Sequence, residues 1–195
     1  MRPKPITVVA GFGRCGSSLV MQMLSAGGMP TPYSEYPSFE IPQGTKVYWP
    51  NFYGGAVKIL DPHIHQPVQG PEYRFIWIDR DPVEQAKSMV KFMEAAGMPG
   101  INEDGVKKLA ASFKRDRPRV NGVMLEYTQP HRILKLRFED ILYNPAWAAH
   151  ILNGFCGNSM LDERAMAAAV RPRGPKCLPY MLEFEQMEEA KHGPK

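Results

Sequence analysis

Apolar positions along the chain fall into short β-branched or aromatic runs, separated by stretches where they recur every three or four residues. Four runs read as buried strands: Ile6–Gly11, Ala56–Leu60, 74–79 and 132–136, each bounded by turn residues. Between them helical spacing takes over. Over Ser17–Ala26 the residues Leu19, Val20, Met23 and Leu24 share a face, and Gly27-Gly28 supplies a stop. The stretch DRDPVEQAKSMVKFMEAAG opens with Asp81 as N-cap and Pro82 in the first helical position, and ends at Gly97. Residues 103–117, 145–156, 161–170 and 179–191 carry the same spacing more faintly.

Strands alternating with helices predict a single three-layer α/β/α domain over residues 1–195, with a central parallel sheet of four to five strands. Ligands bind such sheets beyond the carboxyl ends of the strands. That places the loop at 11–18, the segment after Leu60 and the turn at 79–82 on one rim. Residues 28–55 are rich in Pro, Tyr and Gly with little periodicity, and are expected to wall the substrate side. Residues 179–195 are expected to form a C-terminal helix and tail.

Composition narrows the partners. A net charge of +4 fits an anionic small molecule in one pocket better than a nucleic-acid surface, which calls for dense Lys/Arg stripes. Cys15, Cys156 and Cys177 are odd in number and far apart, arguing for a reducing compartment over a disulfide framework. The first apolar run is too short for a signal-peptide core, and no stretch has the length of a membrane span, so a soluble cytoplasmic protein is expected. No pattern fixes an oligomeric state.

The candidate chemistry starts at Gly11-Phe-Gly-Arg-Cys-Gly-Ser-Ser, which has the glycine spacing of a Walker loop but serine in place of its lysine. Glycines let backbone N–H groups converge, and the helix from Ser17 points its positive end at an anion. Ser17 and Ser18 add hydroxyls, and Arg14 is a cation within the loop. The plain alternative is a strand–turn–helix whose glycines serve packing. A phosphatase built on Cys15 fails because Met21 stands where its arginine is needed. A second segment, RFIWIDRDPVEQAKSMVKF, puts Arg80 at the end of a strand and Ser88 eight residues later, off the Val83/Ala86/Val90/Met93 stripe. Capping alone would also explain Arg-Asp-Pro.

Together these segments resemble the sulfotransferase family. GFGRCGSSLV is similar to its 5′-phosphosulfate loop, and FIWIDRDPVEQAKS to its 3′-phosphate motif. RILKLRFEDILYNPAWAAHILNGFCG resembles the family's Tyr-Glu-Asp-Leu…Asn-Pro…Phe-Leu-Gly stretch, and GAVKILDP sits where the family has a strand ending in lysine. The resemblance implies a P-loop NTPase-like fold and a metal-free donor, 3′-phosphoadenosine 5′-phosphosulfate (PAPS), leaving adenosine 3′,5′-bisphosphate (PAP) as product. Such a donor has no γ-phosphate, so the Walker lysine is not needed. By position, Arg14, Cys15, Gly16, Ser17 and Ser18 would hold the 5′-phosphosulfate, and Arg80 and Ser88 the 3′-phosphate. RPRGPK resembles the family's Arg-Lys-Gly element and would add Arg173 and Gly174.

Sulfuryl transfer asks for in-line positioning and charge stabilisation. Arg14, Ser18 and Lys58 would serve the sulfonate, and a base must take the proton of a hydroxyl or amine acceptor. Leu60 stands where one branch of the family has its basic histidine. Glu35, twenty-one residues beyond Arg14, resembles the tyrosylprotein branch's glutamate and is preferred. His63 or His65 is next and Glu40 follows. His63-x-His65 lacks a third ligand at telling spacing, so no metal is expected.

Tyr33, Tyr36, Trp49, Phe52 and Tyr53 either wall an acceptor or pin a long loop to the body, and KRDRPR at 114–119 reads as a solvated helix end or a dock for an acidic acceptor. The acceptor, whether small molecule, saccharide or peptide, is not written in the sequence; no nucleic acid or membrane partner is expected. Competing readings are a P-loop kinase with its lysine supplied from elsewhere, and an inactive nucleotide-binding module.

Overall fold

A computed structural model of the protein describes residues 3–32, 39, 48–157 and 161–171. Strands β1 (Ile6–Gly11), β2 (Ala56–Leu60), β3 (Tyr73–Asp79) and β4 (Ile133–Arg137) form one sheet. Its order is β2-β1-β3-β4, and all three pairings are parallel, with Val9 opposite Lys58 and Ile76. Helices α1 (Ser17–Ala26), α2 (Pro82–Ala95), α3 (Glu103–Tyr127), α4 (Phe138–Tyr143), α5 (Pro145–Cys156) and α6 (Glu163–Ala168), with short 3-10 turns at Trp49–Phe52 and Pro130–Arg132, complete the described elements.

Side chains alternate across the sheet and seed two cores. Val9, Ala56, Ile76, Ile78 and Leu136 face α1, α4, α5 and α6, where Leu24, Ile141, Leu152 and Met166 are fully buried. Val8, Val57, Phe75 and Trp77 face α2 and α3, meeting Ala86, Phe113, Val120 and Met124. Burial on both faces explains the nearly continuous apolar run of β1, all six of whose residues are buried. Each fully buried large side chain contributes about 1.5–3 kcal/mol relative to exposure.

The three-layer α/β/α architecture matches expectation, with four strands among the described residues. Several details differ. Helix α3 runs ten residues past 117, with Pro118 inside it, because Val120, Val123 and Met124 continue its buried face. KRDRPR therefore lies within a helix rather than at its end. The short α4 directly after β4 was not anticipated. On α2 the buried residues are Gln85, Ala86, Ser88 and Val90 whereas Val83 is 42% exposed, so the packed face is rotated from the expected apolar stripe.

The described residues just before β2 pack at one end of the sheet. In a parallel sheet these residues lie at the amino end, opposite the loops that follow the strands. Trp49 packs edge-on against Tyr73 at the start of β3, with ring centroids 6.4 Å apart, and Phe52 joins the same cluster. These two rings pin the long connection to the body. Tyr33 and Tyr36, with half of 28–55, and the expected helix at 179–191 lie outside the described residues.

Candidate anion-binding site

The turn between β1 and α1 has a shape only certain residues allow. Gly16 has φ +105°, and a Cβ there would fall 2.2 Å from the Phe138 ring. A Cβ on Gly11 would lie 2.3 Å from Cys15 Sγ. Arg14 itself takes φ 66°, a left-handed conformation that a non-glycine residue adopts at a cost. Gly16 caps α1 without a side-chain bond, and the first turn of this ten-residue helix has no acidic residue. Its positive end is thus left to face the rim above the sheet.

Cys15 belongs to the floor of this turn. It is 1% exposed, and burial pushes its thiol above the ordinary value, opposed by hydrogen bonds with the Ser17 hydroxyl and amide. A protonated, enclosed thiol packs; it does not attack.

Cations approach the turn from the strands on both sides of β1. Lys58 points to the α1 side, as Ala56 two residues earlier does, and is 3% exposed. Its Nζ donates to Ser18 Oγ at 3.3 Å. From the end of β3, a terminal nitrogen of Arg80 donates to the Arg14 carbonyl oxygen at 2.9 Å. The Arg80 guanidinium lies 4.7 Å over the Phe138 ring. Burial lowers its pKa, the carboxylate of Glu139 opposes that, and Arg14 nearby adds to it; the group stays charged all the same. Arg14 extends over Phe92 of α2, 5.1 Å from the ring centroid. Each guanidinium carries five N–H donors, so the bond to the Arg14 carbonyl uses a fraction of what Arg80 offers.

Helix α2 braces the same turn. Asp81 caps it by accepting from the Val83 and Glu84 amides at 2.9 and 3.0 Å. Gln85, 2% exposed, donates from Nε2 to the carbonyls of Phe12 at 3.1 Å and Gly13 at 2.8 Å. Ser88 lies one turn further along the buried face, 8% exposed. Gln85 and Phe138 were not singled out in the sequence. Their partners are 72 or more positions away for Gln85, and Phe138 sits on the unforeseen α4.

Beyond β2 the chain turns at Asp61, whose amide donates to Gly11 O at 2.9 Å. His63 stands edge-on to Phe12 with centroids 5.8 Å apart, and its Nδ1 is enclosed without a hydrogen-bond partner. His65 is exposed. Asp79 at the end of β3 pairs with Arg117 of α3 at 2.5 Å, and Arg115 with Asp116 at 3.0 Å, so two arginines of the 114–119 stretch are already neutralised. The structure therefore brings together Arg14, Cys15, Gly16, Ser17, Ser18, Lys58 and Arg80 around one turn, with Ser88 on the buried face of the helix that braces it and His63 beside Phe12. Glu35, Glu40, Arg173 and Gly174 lie outside the described residues. Among the described residues no group of three metal-ligating side chains occurs, and no helix is long and apolar enough to cross a membrane.

No protein-family model and no curated protein matches the chain. Solved structures do. The mouse sulfotransferase SULT7A1 complexed with PAP aligns at TM-score 0.55 and 15% identity over 88% of this chain. The chain spans 64% of that protein's length. The sulfotransferase domain from the curacin biosynthetic pathway aligns at TM-score 0.54 and 13% identity, covering 100% of this chain and 99% of that one. A sulfotransferase from Alicyclobacillus acidocaldarius gives TM-score 0.53 and 12% identity over 96% and 91%. The four-stranded parallel sheet, its flanking helices and the glycine turn that joins β1 to α1 therefore make up a sulfotransferase fold.

Proposed function

We propose that the protein is a sulfotransferase that moves a sulfuryl group from PAPS to a hydroxyl or amine acceptor. The observation that carries this reading is the placement of Arg80 against the Arg14 carbonyl at 2.9 Å, within the same turn whose other side receives Lys58. Strands β2 and β3 flank β1, so the two cations approach the turn from opposite sides, on strands whose backbones are about 10 Å apart. A single phosphate does not need two cations so separated. PAPS, with a 3′-phosphate for Arg80 and a sulfuryl end for Lys58, fits that arrangement.

The residues present fit such a donor. The Gly16 turn, the uncapped start of α1 and the Ser17 and Ser18 hydroxyls suit the 5′-phosphosulfate, with Arg14 beside them. Arg80 and Ser88 suit the 3′-phosphate, and the resemblance assigns Arg173 and Gly174 to the same group. When bound, the donor supplies the activated sulfuryl group. Lys58 and Ser18 hold the reacting end, and Arg14 offsets charge that grows on the leaving oxygen. Glu35 accepts the acceptor's proton, with His63 and then Glu40 as the next candidates. No metal enters this scheme.

One observation favours a kinase instead: Lys58 delivers to the loop a lysine from β2, as an altered Walker site would require. Thermal shift with PAP against ATP plus Mg²⁺ separates the two. At 100-fold Kd a ligand that binds only the folded state adds about 2.7 kcal/mol. Stabilisation by PAP is expected. Stabilisation by ATP plus Mg²⁺ alone overturns the sulfotransferase reading. Turnover of PAPS over a panel of acceptors then distinguishes an enzyme from an inactive binding module.

A further inference from the structure

Consecutive carbonyls of the glycine turn are all held by donors. Gln85 Nε2 donates to the oxygens of Phe12 and Gly13 at 3.1 and 2.8 Å. Arg80 donates to the Arg14 oxygen at 2.9 Å, and the Cys15 amide closes back on Phe12 O at 3.1 Å. Both side-chain donors come from the β3–α2 segment, so all three carbonyls are drawn toward that side of the turn. The described chain has no cis peptide bond. In a trans peptide the C=O of one residue and the N–H of the next point in opposite directions. Drawing the Phe12 and Gly13 oxygens toward α2 therefore turns the Gly13 and Arg14 amides to the face of the turn opposite Gln85.

We propose that Gln85 is a positioning residue of the anion cradle, fixing two successive loop peptides so that their N–H groups face the phosphosulfate end of the donor. The proposal rests on the donor reading above. A glutamine suits the task because one NH₂ group has two donors and the neutral side chain tolerates burial once both are used. An aliphatic residue of the same size would fill the space, leave the Gly13 oxygen without this donor and leave the Phe12 oxygen to the Cys15 amide. Gln85 does not touch the ligand; it acts through the loop backbone.

The test compares wild type with Gln85→Met, which keeps the length and removes the donors, by calorimetric titration with PAP and by steady-state kinetics. The variant is expected to melt cooperatively and to bind PAP at least about tenfold more weakly at unchanged stoichiometry, with acceptor KM unaltered. A packing role alone would lower the melting temperature and the competent fraction while leaving the affinity of that fraction as in wild type, and this result overturns the proposal. If Gln85→Met does not fold, Gln85→Asn withdraws the same amide by one methylene. The same weakening is expected there, and wild-type affinity refutes the assignment. If wild type itself does not bind PAP, the donor reading fails and Gln85's role with it. If wild type binds and both variants match it, Gln85 alone is refuted.

Discussion

Lys58 Nζ and Ser18 Oγ stand 3.3 Å apart, joining the edge strand β2 to the first turn of α1. The lysine is almost wholly buried, so it is held at one point rather than sweeping the surface. A fixed ammonium beside a helix start stabilises negative charge there without reorganising when that charge grows.

Lys58→Met should consequently lower kcat by about 10²–10³-fold, since a methionine fills the channel but carries no charge. PAP affinity should change little, because PAP lacks the sulfuryl group that the lysine serves. Single-turnover kinetics alongside PAP titration check both halves.

Arg80→Ala should weaken PAP by about 1.5–3 kcal/mol, the scale of a hydrogen bond to a charged group. Adenosine 5′-phosphate, which has no 3′-phosphate, should lose less, its share coming from the freed Arg14 carbonyl. Parallel titrations of the two nucleotides decide it. Equal losses would confine Arg80 to bracing the loop.

The proton acceptor separates by substitution. Glu35→Gln should lower kcat by about 10²–10⁴-fold with PAP binding retained, while His63→Gln costs far less. A full loss with His63→Gln and none with Glu35→Gln would transfer the role to the imidazole beside Phe12.

Two buried thiols make stability fall at alkaline pH. Burial pushes Cys156 from 9.0 up to about 11 and raises Cys15 as well. A raised folded-state value means the native state holds its proton longer than the unfolded chain does. The contribution is therefore intact below pH 9 and is lost as pH climbs through the folded values. Melting temperature should decline above pH 9, and neither thiol should react with iodoacetamide in the native protein at pH 8.

Much of this architecture is legible in the sequence because the strands are short, mainly apolar runs bounded by turn residues. Strands β1 and β2 and helix α1 fall where the pattern puts them, and β3 and β4 begin one residue away. The sequence signal failed where tertiary contacts overrode it. Pro118 ordinarily ends a helix, yet the apolar face that continues to Met124 carries α3 past it. Gln85 carries no signal in the sequence because the burial of a polar side chain depends on its partners, here carbonyls far away in the chain. Phe138 was hidden in the same way. The loop arginine stood out through motif spacing and Lys58 through the family resemblance of its strand; a base is encoded by position in space, and Glu35 offers only its distance from Arg14.

The Phe138 ring fills the space beside Gly16 and also seats the guanidinium of Arg80. One side chain thus sets the bend of the turn and the perch of a cation sixty-four positions from Gly16. Evolution cannot adjust these separately: a lineage that enlarges residue 16 must shrink residue 138 and so surrender the aromatic seat. Across homologues, positions 16, 80 and 138 should therefore drift as a linked trio.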